Sequence, residues 1–373
     1  GEIRCAESIR GASIKGALRA HFRALNWSRL RNAHSSDQDA LNALHKEEAD
    51  VFGAAVKDKK GGQASFLLRV KSEPITPEKN FNGCTAPVQY LLGMGLYHFR
   101  NGLLREHIPV GTTFWLELAL KPSVSEQQTE QLRNALLAFG LLGGLGSRAR
   151  KGFGSVSITE LAINGEAQAL PKTAGEYSAA VKKLIGDNLI DKLPPFTAFS
   201  SFTRLQVSGK EKNAVSLLAK HGQEMGLYRG YGNNHSGEYQ VFEQKAEQNF
   251  KQDHDWAYDL VSDKADQHFI PQRTVFGLPH PYRLGNGANV RFEPETGRRA
   301  SPLFAHVHRL PDGTHLLVHT VYRSEFLPHG VRLEALANRN SRTYVRVDEK
   351  KDWTVLERLL QRFRPSTEDV IYG

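Results

Sequence analysis

The sequence contains few cysteines and no long hydrophobic run. Its 373 residues include only two cysteines, Cys5 and Cys84, too few for a disulfide framework, which predicts reduced thiols in a cytoplasmic protein. No apolar run approaches the roughly 18 residues that a membrane-spanning helix needs, and no secretory signal pattern is present. These absences predict a protein that neither crosses a membrane nor is exported.

The usual signatures of nucleotide and metal enzymes are also missing. The segment "GLGSRA" (144–149) matches a dinucleotide fingerprint, but the surrounding pattern predicts a helix before it and a strand after it, which is the reverse of the required order. The cluster "DHD" (253–255) has no second group of metal ligands at a suitable spacing. We interpret it as the start of a helix or an interface feature, and we expect no metal and no cofactor.

Charge is plentiful, and its distribution is uneven. The chain carries 49 Lys and Arg against 40 Asp and Glu, a net charge of +9. Residues 1–31 hold seven Lys and Arg against two Glu, a net of +5, whereas residues 238–268 hold eight acidic residues against three Lys, a net of −5. The basic excess near the N-terminus predicts a polyanionic partner for that part of the chain.

Hydrophobic spacing predicts an α+β protein with antiparallel sheets. A helix is expected over 13–30, capped by Ser13, and another over 125–142, where Ser125 and Gln128 have capping-box spacing. The polar stretch 34–62 is expected to be an exposed loop. Strands are predicted at 64–72, 112–122, 155–163, 196–208, 300–310 and 315–327. A further helix is predicted at 211–227, and an amphipathic helix at 353–363 closes the chain.

One stretch combines a high glycine content with closely spaced positive charges. The segment "GGLGSRARKGFGS" (143–155) contains five glycines and the cations Arg148, Arg150 and Lys151. Glycines let backbone N–H groups approach an anion closely, and arginine matches phosphate oxygens with two parallel hydrogen bonds. Phe153 offers a ring on which a base could stack. These features predict a loop that binds the phosphate backbone of a nucleic acid.

Two motifs together resemble a known family. The segments "SIRGASIKGALRAHFRAL" (8–25) and "GGLGSRARKGFGSV" (143–156) are similar to the first-helix motif and the glycine-rich loop of the RAMP superfamily of CRISPR effector proteins. With "FGLPHPY" (276–282) and "RRASPLFAHVHRL" (298–310), the chain most resembles the large two-domain subunit at the crRNA 3′ end of the type III-B (Cmr) complex. The four motifs occur in the family's order and span most of the chain.

The resemblance implies a fold, partners and a role. It implies two ferredoxin-like (RRM-like) domains, which we place at 1–165 and 196–373, joined by a linker at 166–195, with a helical insertion in the second domain. Family members begin with a strand ahead of the "IRGASIKG" region, and this sequence lacks it. The resemblance also implies crRNA and target RNA as ligands, the other subunits of the type III-B complex as partners, and no catalytic role for this subunit.

Candidate RNA-binding residues follow from matching the family's motifs to this sequence. The first helix contributes cations that recur every four residues, and its N-terminus can bind a phosphate through free N–H groups. Two arginines of the second domain's motif, Arg298 and Arg299, are candidates for contact with RNA or with a neighbouring subunit. The RNA-binding candidates are Arg4, Arg10, Ser13, Lys15, Arg19, Arg23, Arg148, Arg150, Lys151 and Phe153.

Two alternatives remain open at this stage. One is a metal-independent crRNA-processing endoribonuclease of the same superfamily, which would need a histidine as general acid or base. His306 with His308, and His315 with His319, alternate along predicted strands, and His21 lies on the first helix near the proposed RNA surface. The other alternative is an assembly subunit whose basic face docks an acidic protein.

Overall fold

The computed structural model describes residues 8–57, 60–93, 95–262, 264–266, 269–284, 289–337, 341–345 and 352–373. The predicted site residue Arg4, together with Cys5, lies outside these ranges. The described residues form an α+β fold with small antiparallel sheets, which confirms the fold class at that level. No helix in the described ranges is long and apolar enough to cross a membrane.

The described part of the chain contains helices of 7 to 23 residues. They are α1 (Gly11–Ala33), α2 (Asp37–Phe52), α3 (Ala86–Leu92), α4 (Glu126–Leu142), α5 (Ala174–Ile185), α6 (Ala214–Arg229), α7 (Lys251–Val261) and α8 (Thr354–Gln361), with short 3-10 turns at Gln272–Phe276 and Thr367–Asp369.

Short strands alternate with these helices along the chain. They are β1 (Ala54–Lys57), β2 (Lys60–Gly62), β3 (Phe66–Lys71), β4 (Tyr97–His98), β5 (Gly102–Leu103), β6 (Trp115–Leu120), β7 (Ala162–Ile163), β8 (Glu166–Ala167), β9 (Arg204–Glu211), β10 (Asn233–His235), β11 (Glu238–Val241), β12 (Gln244–Lys245), β13 (His280–Arg283), β14 (Asn289–Pro294), β15 (Leu303–Arg309), β16 (His315–Val321), β17 (Leu333–Ala337), β18 (Ser341–Val345) and β19 (Val370–Tyr372).

The C-terminal half is built on a four-stranded antiparallel sheet. Its spatial order is β15-β16-β9-β19, while the chain visits these strands in the sequence β9, α6, β15, β16, α8, β19. This is a β-α-β-β-α-β unit, and residues 230–294, which include α7 and the strands β10 to β14, are inserted between α6 and β15. The predicted hairpin is present, with Leu303 opposite Val321 and Arg309 opposite His315.

In the N-terminal half, three helices pack against a two-stranded sheet. The strands β3 and β6 pair in antiparallel fashion from Phe66–Leu120 to Lys71–Trp115. Buried side chains of α1, such as Leu18 and Phe22, share one hydrophobic cluster with side chains of α2 and α4. The predicted capping box of α4 is confirmed, since Ser125 and Gln128 exchange hydrogen bonds between side chain and backbone.

Three sequence predictions about local structure are wrong. Helix α1 starts at Gly11 with Arg10 as its N-cap, so Ser13 lies inside the first turn and caps nothing. The stretch 34–62, predicted as a loop, is mostly helix α2, capped by Ser36. The strand predicted over 155–163 is reduced to Ala162–Ile163. The residues from Ser155 onwards lie along β15 instead, where the hydroxyl of Ser155 accepts the N–H of Val307.

The two halves share hydrophobic clusters. Val88 and Leu91 of α3 are buried among residues of α6, β15 and α8, and Leu141 of α4 is buried beside Leu205 and Leu316 of the C-terminal sheet. Because these contacts join parts of the chain on either side of the segment 166–195, the halves form a single packed structure. This arrangement places the glycine-rich loop at the junction of the two halves.

Candidate nucleic-acid interface

The glycine-rich loop (143–155) closes on itself through its backbone. The N–H of Leu145 donates to the carbonyl of Gly154 at 2.8 Å, and Gly144 bridges Ser155. Gly154 has a φ of +63°, and a Cβ at this position would lie 2.1 Å from the carbonyl oxygen of Leu145. Only glycine fits such an approach, so the sequence of the loop specifies its closed shape.

The second half of the loop covers the free edge of the C-terminal sheet. Strand β15 is the outermost strand, and its alternate N–H groups need acceptors. The N–H of Ala305 donates to the carbonyl of Arg150 at 3.0 Å, and that of Val307 donates to Oγ of Ser155 at 3.0 Å. One step further, the N–H of Arg309 donates to Oγ of Ser157 at 2.9 Å. The loop is therefore fixed to β15.

Lys151 is a cation of the loop whose charge no acidic group of the described residues neutralises. It is partly buried, and its ammonium makes no hydrogen bond or ion pair within the described residues. Burial, followed by the nearby guanidinium groups of Arg229 and Arg148, lowers the pKa of Lys151 to about 7. A partly shielded lysine surrounded by other cations is a strong attractor for an anion such as phosphate.

Arg148 holds the tip of the loop against α3. Its backbone has a φ of +66°, and its Nε donates to the carbonyl of Leu92 at 2.7 Å, at the C-terminal end of that helix. A guanidinium group has five N–H donors in a fork, and this residue is exposed. Arg148 can therefore bind a second acceptor without giving up its structural bond.

Arg150 and Arg299 are directed into the protein. Nη1 of Arg150 donates to the carbonyl of Ser301 at 2.7 Å, and its guanidinium lies 4.6 Å from the ring centroid of Phe304. Arg299 donates to the carbonyl of Phe326 and lies 4.6 Å from that ring. Burial, with Arg150 as a second cause, lowers the pKa of Arg299 to about 10. Both side chains hold the loop and its neighbouring segment in place.

The remaining candidates of the loop and the second motif differ in exposure. Phe153 is partly buried and packs against the hydrophobic cluster of α6 and β15, so only part of its ring is open to a ligand. Arg298 is exposed next to the internal Arg299. RNA contact by either residue stays a prediction.

The cations of α1 form a second, separate group. Arg19 and Arg23 both pair with Glu48 of α2, at 3.4 and 3.2 Å, and Arg19 also donates to the carbonyl of Gly53. Lys15 forms no ion pair with a described residue and lies 5.8 Å from the ring centroid of Phe66. Burial, and then Arg19, lower its pKa. Lys15 is therefore the least compensated charge of the stripe.

No side chain of the described residues caps the start of α1. Arg10 supplies no side-chain cap, and the first turn contains no acidic residue. Arg10 and Ser13 are both exposed. Free N–H groups at the start of a 23-residue helix favour a negatively charged partner. Among the described residues, no side-chain hydrogen bond or ion pair joins this group to the cations of the loop, although His21 of α1 lies close to Gly143.

Histidines, which the sequence left open as catalytic candidates, are packed behind the loop. Nδ1 of His306 bonds the carbonyl of Gly143 at 2.8 Å. Nε2 of His319 lies 2.9 Å from Nδ1 of His221, and Nδ1 of His319 lies 2.7 Å from Oγ of Ser208. His221 and His319 are 0% exposed. This buried chain was not predicted, because its members come from separate elements.

The acidic cluster at 253–255 lies on α7. The carboxylate of Asp253 is 1% exposed and accepts the N–H groups of Gln272 and Arg273 and the hydroxyl of Tyr282, at 2.8 to 3.1 Å. The interpretation of this cluster as a structural feature of a helix is consistent with that role. Within the described residues, no group of three or more His, Cys, Asp or Glu side chains is placed to hold a metal ion.

These observations define an α+β protein whose basic glycine-rich loop is fixed between two halves. Residues 7–157 match the family model of the RAMP superfamily, which contains both the first helix and the loop. The resemblance to the RAMP superfamily that the sequence predicted is therefore confirmed.

Solved structures extend the likeness to the whole chain. The chain is similar to Cmr1 from Pyrococcus furiosus in its apo form, with 20% identity over 98% of this chain and 92% of that chain, and a TM-score of 0.57. This likeness shows that the two proteins share a fold. A chain of the type III-B Cmr-beta complex bound to cognate target RNA matches at 11% identity over 95% of this chain and 93% of that chain, with a TM-score of 0.47. No curated protein matches the sequence.

Proposed function

We propose that this protein is a non-catalytic, RNA-binding subunit of a type III-B CRISPR effector complex in the cytoplasm. Its ligands are the 3′ portion of a crRNA, the target RNA paired there, or both, and its partners are the other subunits of the complex. The fold shared with Cmr1 and the match of residues 7–157 to the RAMP superfamily support this assignment. The proposal includes two ferredoxin-like domains. The C-terminal domain is the better supported of the two, because its elements follow a β-α-β-β-α-β order.

The observation that carries the proposal is the uncompensated charge at Lys151. The partly buried ammonium of Lys151 and the exposed guanidinium of Arg148 lie near Arg229, and no carboxylate of the described residues pairs with any of the three. A phosphate backbone would supply the missing negative charge. Contacts of this type position RNA without reading its sequence, which suits a protein whose specificity comes from a guide strand.

We expect a salt titration to detect these contacts directly. For single-stranded RNA, a plot of the logarithm of the association constant against the logarithm of salt concentration should have a negative slope. Each phosphate contacted contributes roughly 0.7 to the steepness of that slope. In the double variant Arg148→Ala/Lys151→Ala, the slope should therefore flatten by roughly 1.4. Arg150 is left intact because its side chain supports the loop. The measurement is filter binding of a labelled RNA from about 50 to 300 mM salt.

Lys183→Ala provides the matched control, since Lys183 is an exposed cation on α5 and is not part of the loop. An unchanged slope in the double variant would contradict the assignment of the loop. The same RNA should remain intact in the presence and absence of EDTA. Cleavage that survives EDTA would favour the metal-independent endoribonuclease instead.

RNA affinity is also expected to depend on pH through Lys151. Because the pKa of Lys151 is about 7 in the free protein and a bound phosphate favours its charged form, binding above pH 7 requires the uptake of a proton. The association constant should thus fall by up to about tenfold per pH unit between pH 7.5 and 9. Fluorescence anisotropy of a labelled RNA at constant ionic strength measures this change.

Lys151→Arg separates this linkage from other pH effects. The guanidinium keeps its charge across the range, so affinity in the variant should be nearly flat with pH. An equally steep decline in the variant would show that another group takes up the proton.

A further inference from the structure

A second feature of interest is a cavity of about 520 Å³ at the junction of the two halves. Its walls come from α3, from the end of α6 and the turn that follows it, from β11, and from α7 and β13. The volume falls in the range of small-ligand sites, roughly 300–1,000 Å³. The lining includes Tyr90, Tyr231, Phe242, His254, Arg273 and Tyr282.

Aromatic rings form two walls of this cavity. Tyr90 and Phe242 meet edge to face with ring centroids 6.0 Å apart, and Tyr231 stacks on His254 at 3.8 Å. A Cβ at Gly226 would lie 2.2 Å from the ring of Phe242, so the absence of a side chain there lets this ring lie directly on α6. The sequence thus keeps flat, apolar surface available where another planar group can stack.

Polar groups with unused hydrogen-bonding capacity line the same space. His254 is 8% exposed, and its Nδ1 has no hydrogen-bond partner among the described residues. Nε of Arg273 is likewise buried without a partner in that part of the chain, while the backbone N–H of Arg273 is anchored to the carboxylate of Asp253 at 2.8 Å. Buried polar atoms are normally satisfied, so these two atoms give the cavity hydrogen-bonding capacity that a ligand could use.

Positive charge connects the cavity to the glycine-rich loop. The charge of Arg229 lowers the pKa of Lys151 in the loop. Arg229 also interacts electrostatically with Arg273 and Tyr282, which line the cavity. It therefore lies between the loop and the cavity. Its guanidinium is 4.4 Å from the ring centroid of Phe276 and bonds the side chain of Tyr90. Arg229 therefore adds positive charge between the loop and the cavity without lining the cavity itself.

Among the described residues, no Phe, Tyr or Trp lines a cavity elsewhere in the protein. That cavity has about 490 Å³ and is lined mainly by aliphatic side chains of α4, α5 and the segment 158–171. Its lining also contains cations, among them Arg133, which pairs with Glu130 at 3.2 Å. Because the two cavities are similar in size and both contain cations, the aromatic rings are what distinguishes the first.

We propose that the junction cavity binds one nucleotide of an RNA strand, with the base stacked on its aromatic walls and the phosphate facing Arg273. The proposal rests on the RNA-binding function and adds a base-binding subsite to it. The hydrogen-bonding edge of the base would face Nδ1 of His254. Burial and Arg273 lower the pKa of His254 to about 4, so its ring is neutral at pH 7 and can donate or accept according to its tautomer.

The test uses the full chain with two probes. The first is single-stranded RNA that carries 4-thiouridine, cross-linked by light and mapped by mass spectrometry. The second is each of the free nucleotides AMP, GMP, CMP and UMP, measured by calorimetry. Phe242→Ala and Arg273→Gln probe the cavity, and Arg133→Gln in the other cavity is the matched control. All variants are compared with wild type for thermal unfolding.

We expect cross-links to Tyr90, Tyr231 or Phe242, and a loss of RNA affinity of roughly tenfold in Phe242→Ala, the effect of removing one base-stacking contact. The Arg133→Gln control should bind as wild type does. Free nucleotides that bind and lose affinity in Phe242→Ala would show that the site takes a nucleotide without its strand. Binding only within RNA would show that the loop must deliver it.

Failure of this inference is distinguishable from failure of the proposed function. If wild type and both cavity variants bind RNA equally and cross-links map elsewhere, the cavity proposal is overturned and the RNA-binding function stands. If wild type binds neither RNA nor any free nucleotide, both are overturned. Nucleotide binding that is lost in Phe242→Ala, without RNA binding, would retain the cavity and remove the role of the loop.

Discussion

Between pH 7 and pH 5 the protein is expected to lose several kcal/mol of its free energy of unfolding. The cause is the group of histidines packed behind the glycine-rich loop. Burial lowers the pKa of His319 to about 3 and that of His308 to about 4, and burial also lowers the pKa values of His221 and His306. These four rings stay neutral in the folded protein at pH values where they are charged in the unfolded chain.

The sign of the effect follows from proton binding. Below the unfolded pKa of about 6.5, the unfolded chain binds protons that the folded protein does not, so stability falls as the pH falls towards the folded values. Each such histidine costs about 1.4 kcal/mol per pH unit in that window. Because the total stability of a protein is typically about 5–15 kcal/mol, four histidines are enough to bring this one close to unfolding at pH 5.

Urea denaturation followed by tryptophan fluorescence at pH 7.5, 6.5 and 5.5 measures the loss. In His319→Gln, one titrating ring is removed, while an amide remains that can bond Ser208 or His221. The number of protons taken up on unfolding should therefore fall by about one, which makes the free energy of unfolding change less steeply with pH. His45→Gln on the exposed surface of α2 should leave it unchanged. Equal urea midpoints at all three pH values would contradict the prediction.

Replacing Gly154 by alanine is expected to open the glycine-rich loop and to abolish RNA binding. The added Cβ would lie 2.1 Å from the carbonyl oxygen of Leu145, so this backbone carbonyl would have to move away from Gly154, the residue to which the N–H of Leu145 is bonded. The φ of +63° adds strain of about 1–3 kcal/mol for a residue with a side chain. Together these costs place the substitution at the severe end of single mutations.

Gly146→Ala is the matched control for this prediction. Gly146 also has a positive φ, of +82°, but nothing lies within 4 Å of a Cβ built there. It should therefore lose only a modest amount of stability and retain RNA binding. Hydrogen exchange of the loop amides and filter binding of RNA compare the two variants, and equal behaviour in both would show that the close approach at Gly154 does not hold the loop.

The sequence was most informative where one periodic pattern decides the structure. The apolar spacing of 125–142 with its capping box predicted α4 almost to the residue, and the hairpin between β15 and β16 followed from two apolar runs around a turn. Helix α2 was missed because its polar composition hides a short apolar face, formed by Ala40, Leu44 and Phe52.

The candidate site was predicted in part, and the reason lies in tertiary contacts. The loop motif predicted Arg148, Arg150 and Lys151 as RNA contacts, but it could not show that Arg150 is held by Ser301, 151 residues further along the chain. Likewise, the charge pattern of α1 did not reveal that Glu48 of the missed helix α2 neutralises Arg19 and Arg23. Sequence pattern identified the basic segments, and only the fold separated compensated from uncompensated charge.

The attachment of the loop to β15 has a consequence for how the chain can be divided. Three N–H groups of β15 are satisfied by residues 150–157, and side chains of α3 and α4 are buried among those of the C-terminal half. The C-terminal half produced alone would expose the unpaired edge of β15, and either half alone would expose apolar surface and would tend to self-associate. A chain cut by protease after α5, at the exposed residues 187–188, would instead persist as two fragments that remain associated as a non-covalent heterodimer.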